Sequence, residues 1–378
     1  MVVCNANDHG PFSVFEHTII WRCAMNAMKK MKEQLHKIQP ICQVSMEQAE
    51  TRVDKLIKPQ GSLGDLEKIY IQLAGIQKNM YPAVDKKAVI VCAGDHGIIE
   101  EGVATSKKDI TLIQVNNMMR GVTGVCALSK QVGAEVVVVD VGIDAPDEER
   151  HQGIIDKNVM KGARNFYREK AMTYEEAIAS VQAGIDVALL KAGEGATLLG
   201  TGEMGIGNTT PSAAIMSVIT GKTPEEVTGV GANLPVERLA HKIKVVKESI
   251  DKHQPDPTDG FDVLSKVGGL EIGGMAGVMI GGAIAGVPVV VDGFISTAAA
   301  VVACTIEPKV KDYIFSSHGS MEPGARIGAD HLNLKHYLQL DMRLGEGTGA
   351  VLMFNIIDAA CHMNRHMLTF EEAGFIVK

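Results

Sequence analysis

Four short apolar runs rich in β-branched residues divide the middle of this 378-residue chain. Each run leads into a glycine or an acidic residue, and the segments between them are long enough for helices. Such runs are typical of strands buried on both faces of a parallel sheet. They are KKAVIVCAGDHG (86–97), AEVVVVDVGID (134–144), ATLLGTGE (196–203) and VPVVVDGF (287–294). The pattern predicts an α/β fold with a mostly parallel, Rossmann-like sheet, helices on both faces, and ligands at the loops that follow the strands.

The segments before and after these runs have a different character. Residues 31–80 show helical periodicity with a break at KPQGSLG (58–64), and a last long helix is predicted at 351–368. Residues 1–30 show no sustained period and hold the only tryptophan, Trp21. We interpret residues 1–30 as a poorly ordered or spurious N-terminal extension.

The charge and the cysteine content exclude several classes of protein. The net charge is −8, with acidic and basic residues mixed along the chain, whereas a nucleic-acid-binding protein needs a basic face. The seven cysteines are scattered and never form a C-x-x-C pair. That spacing argues against a zinc site and favours reduced thiols in a cytoplasmic protein.

No signal peptide or membrane anchor is evident from the sequence. The most apolar region, residues 277–303, is interrupted by Pro288, Asp292 and Gly293. A membrane-spanning helix needs about 20 uninterrupted apolar residues. We therefore predict a buried helix, a strand, a loop and a second helix in this region, and no membrane partner.

The stretch TLLGTGEMGIGNTTPSAAI (197–215) contains a G-x-G-x-x-G pattern directly after a short apolar run. A dinucleotide site needs its helix to begin at the third glycine and an acidic residue about 20 positions further on, at the end of the next strand. Here the natural helix start is Thr209 or Thr210, and the acids Glu225 and Glu226 follow Pro224 at another predicted helix start. The context therefore disfavours a bound NAD.

A glycine-rich loop at a helix N-terminus nevertheless suits a phosphate, because its backbone N–H groups and the helix dipole attract anions. The alternative is a plain turn from strand to helix. Asn208, Thr209 and Thr210 add side-chain donors, which favours the phosphate, and Glu203 is the single acid of the loop.

Two further motifs carry groups with catalytic potential. Glu346 in RLGEGTGA (343–350) is flanked by glycines at the start of a predicted helix, where it either caps that helix or serves as a general base. Asp95 and His96 in AGDHG indicate either a structural turn, with His96 bonded to backbone, or a metal site. No second ligand stands at metal-binding spacing, so we predict no metal.

Six motifs together resemble a single family in their order and spacing. They are the segment from AGDHG to VGID (93–144), GEMGIGNTTPSAA (202–214), TGVGA (228–232), VDGFISTAAA (291–300), SSHGSMEPGA (316–325) and LDMRLGEGTGA (340–350). The resemblance is to the nicotinate-nucleotide:dimethylbenzimidazole phosphoribosyltransferases, which act in the synthesis of the lower ligand of cobalamin. It extends from about Met31 to the C-terminus and includes KPQGSLG.

The resemblance implies transfer of phosphoribose from nicotinate mononucleotide to dimethylbenzimidazole or a related base, giving α-ribazole 5′-phosphate and nicotinate. By similarity, Glu346 is the general base, and Glu203 is a second catalytic carboxylate that orients the ribose or assists the base. No cofactor and no metal are implied. The preferred base stays open.

The resemblance also implies a set of substrate-binding residues. They are Gly205, Ile206, Gly207, Asn208 and Thr209 around the phosphate and ribose, Lys242 as a charge for the phosphate, Ser106 and Gln114 in the benzimidazole pocket, Leu344 over the ring, Gly293 and Ser320 near the nucleotide, and Gly345.

The family's architecture further implies a small helical domain built from residues 31–83 and 347–378, a large α/β nucleotide-binding domain at 84–346, and a homodimer whose partner completes the cleft. Two other functions compete with the transferase: a non-catalytic sensor or carrier for benzimidazoles and nucleotides, and an NAD-dependent dehydrogenase.

Overall fold

Six parallel strands form one sheet in the computed structural model, which describes residues 28–375. The strands are β1 (Lys87–Gly94), β2 (Ala134–Gly142), β3 (Ile155–Asp156), β4 (Leu198–Met204), β5 (Val289–Val291) and β6 (Ile314–Ser316). Their order across the sheet is β3-β2-β1-β4-β5-β6, and every neighbouring pair is parallel. The predicted α/β fold class is confirmed, and each of the four apolar runs forms a strand.

The helices between and around the strands are α1 (Gln43–Lys55), α2 (Asp65–Gln77), α3 (Ile110–Met119), α4 (Gly124–Val132), α5 (Tyr174–Gly193), α6 (Thr209–Thr220), α7 (Pro224–Val227), α8 (Leu239–His253), α9 (Gly260–Val267), α10 (Leu270–Ala285), α11 (Phe294–Ile306), α12 (Pro323–Leu332) and α13 (Thr348–His366). Helical residues 28–35 precede α1.

The centre of the sheet is covered on both sides. All eight residues of β1 are buried, as a strand between two helical layers requires. Helices α5 and α10 cover one face, and α13 covers the other, where it contacts β4 and β5. A Cβ at Gly184 of α5 would overlap the carbonyl oxygen of Gly274 in α10, so this glycine allows the two helix backbones to touch.

The apolar region at 277–303 forms the end of α10, strand β5 and the start of α11, in the predicted order of elements. The interrupting residues Pro288, Asp292 and Gly293 lie in the connections between these elements. Within residues 28–375, no helix is both long and apolar enough to cross a membrane.

Both ends of the described chain are helical and meet. Helix α2 packs against α13, and Asn364 of α13 donates a hydrogen bond to the Tyr70 hydroxyl of α2. Helix α13 also lies on the sheet, so it links the helical ends to the strands. The division into domains at 31–83, 84–346 and 347–378 stays a prediction. Residues 1–27 of the proposed extension lie outside the described residues, and 28–30 already belong to the first helical segment.

Candidate active site

A cleft of about 260 Å³ opens at the carboxyl edge of the sheet, beside the ends of β4 and β5. The strand order reverses between β1 and β4, and ligands of open α/β sheets bind beside such a reversal. The residues that line the cleft are Ile110, Gln114, Glu203, Met204, Gly205, Ile206, Asn208, Thr209, Gly231, Ala232, Asp292, Gly293, Phe294, Ile295, Ser296, His318, Ser320, Glu322, Arg343, Leu344, Gly345 and Glu346.

Glu203, near the end of β4, places a buried carboxyl group in this cleft, with only 7% of the residue exposed. Asn208 donates its side-chain amide to Oε2, and the backbone N–H of Glu346 donates to Oε1 at 3.3 Å. Burial raises the pKa of Glu203 to about 8, and the nearby carboxylates of Asp292 and Glu271 act in the same direction. Glu203 is therefore mostly protonated at neutral pH.

Glu346 lies in the turn before α13 and is 4% exposed. The Gln114 side chain donates to Oε1 at 2.6 Å, and the backbone N–H of Val125 donates to Oε2 at 3.1 Å. Both donors come from outside the helix that Glu346 precedes. The carboxylate is thus held at the wall of the cleft by α3 and α4, and it does not cap α13.

Asp292 caps α13 in place of Glu346. This residue follows β5, is 1% exposed, and accepts the backbone N–H groups of Gly347, Gly349 and Ala350 at 2.7 to 3.2 Å. Burial raises the pKa of Asp292, while the nearby His318 and the three amide donors oppose the rise. The first turn of α13 is therefore satisfied by a side chain from the sheet.

The loop after Glu203 forms one wall of the cleft and of a second cavity of about 60 Å³ beside it. The second cavity is lined by Val103, Ala104, Thr105, Ser106, Gly205, Ile206, Gly207, Asn208, Thr209, Val230, Ala232 and Leu234. Helix α6 begins at Thr209 with Asn208 as its N-cap residue. The N-terminus of a helix of 12 residues therefore faces both cavities, an arrangement that suits an anion.

Lys242 contacts this wall without lining either cavity. Its Nζ donates to the Thr209 hydroxyl at 2.7 Å and to the Gly229 carbonyl at 3.0 Å, and the residue is only 1% exposed. Burial lowers the pKa of Lys242 to about 8. Glu322 accepts the N–H of Gly231 at 2.9 Å, so the segment 229–231 is held from both sides.

The His96 ring bonds to a carboxylate, whereas a simple structural turn predicts a bond to backbone. Its Nε2 lies 2.9 Å from Oε1 of Glu271, at the start of α10, and both side chains are buried. Although burial lowers the pKa of His96, the charge and hydrogen bond of Glu271 raise it overall. This pair lies beneath the loop, where a Cβ at Gly205 would come within 3.1 Å of the His96 ring. Among residues 28–375, no cluster of three or more potential metal ligands occurs.

The structure brings most of the predicted site residues together. Gln114, Glu203, Gly205, Ile206, Asn208, Thr209, Gly293, Ser320, Leu344, Gly345 and Glu346 line the cleft. Ser106 and Gly207 line the smaller cavity, and Lys242 belongs to the lining of neither. Lys242 therefore reaches the cleft through Thr209 and not directly.

Sequence reasoning missed four charged or titratable residues of the cleft: Asp292, His318, Glu322 and Arg343. Asp292 and His318 stand in motifs that the resemblance already included, VDGF and SSHGS. Their position directly after β5 and β6 is the signal that could have identified them, because parallel strands end at a common edge. Glu322 and Arg343 also stand in quoted motifs, SSHGSMEPGA and LDMRLGEGTGA, but they do not directly follow a strand.

A family model described as a phosphoribosyltransferase matches residues 38–375. The protein of that class from Alkaliphilus metalliredigens, a nicotinate-nucleotide–dimethylbenzimidazole phosphoribosyltransferase, is 49% identical over 350 residues, which are 93% of this chain and 100% of the relative. An Escherichia coli (strain SE11) enzyme of the same name is 50% identical over 341 residues, covering 90% of this chain and 94% of the relative.

A crystal structure of the enzyme of this name from Thermus thermophilus is similar as a whole, with a TM-score of 0.83 and 38% sequence identity. The similarity covers 89% of this chain and 100% of the solved chain. The chain belongs to the nicotinate-nucleotide–dimethylbenzimidazole phosphoribosyltransferase family, as its sequence motifs predict.

Proposed function

We propose that this chain transfers phosphoribose from nicotinate mononucleotide to dimethylbenzimidazole or a related base, releasing nicotinate and forming α-ribazole 5′-phosphate for the lower ligand of cobalamin. The observation that carries the proposal is the position of Glu346. Its carboxylate lies at the cleft wall, oriented by Gln114 and Val125, while Asp292 performs the capping that would otherwise occupy it.

Glu346 acts as the general base in this reaction. It takes the N–H proton of the benzimidazole, while the other ring nitrogen attacks the anomeric carbon of the ribose. The bond from that carbon to the pyridinium nitrogen breaks, and its electron pair stays with nicotinate. Attack on the face opposite the leaving group converts the β-linked substrate into an α-linked product. Because the leaving group is already a cation, catalysis rests on positioning and proton removal.

Glu203 assists as a neutral acid. With a pKa of about 8 it carries a proton at pH 7, and a protonated carboxyl group both donates and accepts hydrogen bonds. A neutral group beside Glu346 also avoids the repulsion that two carboxylates would have in one cleft. We assign Glu203 to a ribose hydroxyl, since it lies between Asn208 of the loop and the turn of Glu346.

The phosphate of the nucleotide binds at the start of α6. Gly205, Ile206, Gly207, Asn208 and Thr209 surround the helix N-terminus there, and Thr209 is oriented by Lys242. Gln114 and Leu344 contact the base, Ser106 lies beyond the loop, and Gly345, Gly293 and Ser320 complete the cleft.

A second copy of the chain completes the cleft in a homodimer. Two apolar side chains of the lining, Ile110 and Leu344, are exposed at its mouth, and Ile113 on α3 is exposed as well. A partner that covered them would remove apolar surface from water and exclude solvent from the base. Light scattering that finds only a monomer at working concentration would contradict this assembly.

The test is the release of nicotinate when the protein is mixed with nicotinate mononucleotide and dimethylbenzimidazole, without added metal or dinucleotide. Release that depends on both substrates is expected. Tight binding of the base in a calorimeter with no release from any base would instead indicate a sensor or carrier. Competition between benzimidazoles, purines and phenolics, with product analysis, then identifies the preferred base.

A further inference from the structure

Three consecutive residues before α13 have left-handed backbone conformations: Gly345 at φ +84°, Glu346 at +62° and Gly347 at +95°. Glycine adopts such angles freely, whereas a glutamate does so only where its surroundings hold it there. Neighbouring contacts leave little room for this turn to relax. A Cβ at Gly347 would come within 2.7 Å of Val89, and one at Gly345 would overlap Oε1 of Glu203.

Two interactions hold the turn from the helix side: Thr348 donates its N–H and its hydroxyl to the Gly345 carbonyl at 3.1 and 2.8 Å, and Asp292 caps α13. Gly347 is the N-cap residue and has no side chain that could accept the amides of the first turn. Asp292 accepts Gly347 N–H through Oδ2 at 3.1 Å, and Gly349 and Ala350 through Oδ1 at 2.7 and 3.2 Å. One carboxylate thus joins the residue next to Glu346 to the rigid start of the helix.

We propose that Asp292 is a positioning residue, which holds the left-handed turn 345–347 on the end of β5 and so keeps the Glu346 carboxylate aimed into the cleft. The inference rests on the proposed function, because it takes Glu346 to be the base. Asp292 acts through Glu346, so its loss should lower the rate of the chemical step more than the binding of either substrate.

Asparagine is the substitution that tests this arrangement most directly. Its side-chain oxygen can still accept the N–H groups of Gly349 and Ala350, but its NH₂ group would then face the N–H of Gly347, donor against donor. Asp292→Asn therefore loosens the turn at Gly347 while keeping the shape of the side chain and most of the helix cap.

The experiment compares kcat and both KM values of the wild-type chain and Asp292→Asn by nicotinate release. We expect kcat to fall about 10- to 100-fold, with each KM changed by less than about threefold, since misplacement of a catalytic group by 1 Å can cost that much. An unchanged kcat would overturn the proposal, as would a large rise in KM at constant kcat, which would make Asp292 a substrate ligand.

Asp140→Asn is the matched control. Asp140 is also a buried aspartate near the end of a strand, β2, and it accepts the N–H of Ile143 at 2.7 Å, but it does not line the cleft. We expect this variant to lose thermal stability and to keep its kcat. A parallel loss of kcat in both variants would show that any buried strand-end aspartate has this effect and would overturn a specific role for Asp292.

A second measurement does not depend on turnover. Glu346→Gly relieves the backbone strain of the turn, so its effect on Tm should be more favourable in the wild-type chain than in Asp292→Asn, where the turn has lost its hydrogen bond to Asp292. Equal effects in the two backgrounds would overturn the proposal. If the wild-type chain releases no nicotinate, the proposed function fails, and this thermal cycle still decides whether Asp292 holds the turn.

Discussion

Two glycine-rich segments meet at the cleft, and each carries a single glutamate and leads into a helix. In the first, 200–209, Glu203 belongs to an extended strand and its carboxyl group is buried among other acids. In the second, 343–350, Glu346 lies in a left-handed turn and its carboxylate accepts two N–H groups. Similar local sequences therefore place one glutamate at the end of a strand, where burial raises its pKa, and the other in a turn at the cleft wall, where α3 and α4 orient its carboxylate.

The glycines of the first segment allow it to pack closely against the turn of Glu346, helix α13 and strand β1. A Cβ at Gly202 would overlap the carbonyl oxygen of Glu346, and one at Gly200 would come within 2.9 Å of Phe354 in α13. A Cβ at Gly205 would come within 2.5 Å of the Gly94 carbonyl oxygen in β1. Close packing of strand, turn and helix therefore accounts for Gly200, Gly202 and Gly205, the three glycines that match the dinucleotide sequence pattern.

Glu346→Gln is the most direct test of the role of the Glu346 carboxylate. We expect Glu346→Gln to lower kcat by about 10²- to 10⁴-fold, the usual contribution of a general base, while calorimetry shows nearly unchanged binding of the base. Gln can still accept the N–H of Val125 and keeps the volume of the side chain. An equal loss of binding and turnover would indicate a structural role for Glu346.

Gly345→Ala should have the next largest effect, because its Cβ would overlap Oε1 of Glu203 at a φ of +84°. It forces the two glutamates apart, so we expect kcat to fall about tenfold or more and stability to fall by roughly 1–3 kcal/mol. Gly195→Ala is the matched control, since Gly195 has φ +94° and open space around its Cβ position. If both variants lose only stability, the contact between the segments has no catalytic role.

Glu203→Gln tests the raised pKa of Glu203 through the pH dependence of stability. The pKa of Glu203 rises from 4.5 to about 8 on folding, so between these values the folded state binds the extra proton. Wild-type stability therefore falls as the pH rises through this window. We expect Glu203→Gln to gain Tm relative to wild type between pH 5 and pH 9, and to keep most activity near pH 6, where wild-type Glu203 is also neutral.

Thermal melts at each pH test this prediction for Glu203, and exposed Glu175→Gln controls for the loss of one surface charge. A difference in Tm that stays constant with pH would show that Glu203 ionises normally in the folded protein. A large loss of activity already at pH 6 would show that its charged form is needed.

Much of the fold is predictable because a strand buried on both faces of the sheet often stands in a continuous apolar run. The four runs of the sequence correspond to β1, β2, β4 and β5, and α5 lies in one of the intervening segments that are long enough for a helix. Strand β5 has three residues, as β6 does, but it stands in the apolar run VPVVV (287–291), whereas β3 and β6 stand in no comparable run. The continuity of the apolar run, and not the length of the strand, therefore decides which strands the sequence reveals.

The site residues that stand in a local motif can be predicted from the sequence, whereas those that only the fold brings together cannot. Glu203 and Glu346 stand among glycines in segments that lead into helices, which is a local signal. Asp292 is a single acid after a short strand, and its three amide partners lie 55 to 58 residues further along the chain. His96 and Glu271 are 175 residues apart, so their pairing likewise cannot be predicted from the local sequence.

Leu344→Ala should change the kinetics least of these variants, and it tests whether Leu344 belongs to the turn that orients Glu346. It is 60% exposed yet lines the cleft, so Leu344→Ala should raise KM for the base a few-fold, by roughly 1 kcal/mol of lost apolar contact. Tm and kcat should hardly change, since most exposed side chains contribute within about 0.5 kcal/mol to stability. Leu340→Ala, 56% exposed and outside the cleft lining, should alter nothing.

The changes in KM and kcat of Leu344→Ala distinguish two interpretations of the segment 343–350. If only KM rises, the side chain covers the base, and the rigid unit that orients Glu346 begins at Gly345. If kcat falls as it does in Gly345→Ala, Leu344 belongs to the turn that the Glu203 strand and Asp292 hold, and the second segment acts as one unit from residue 344 onward.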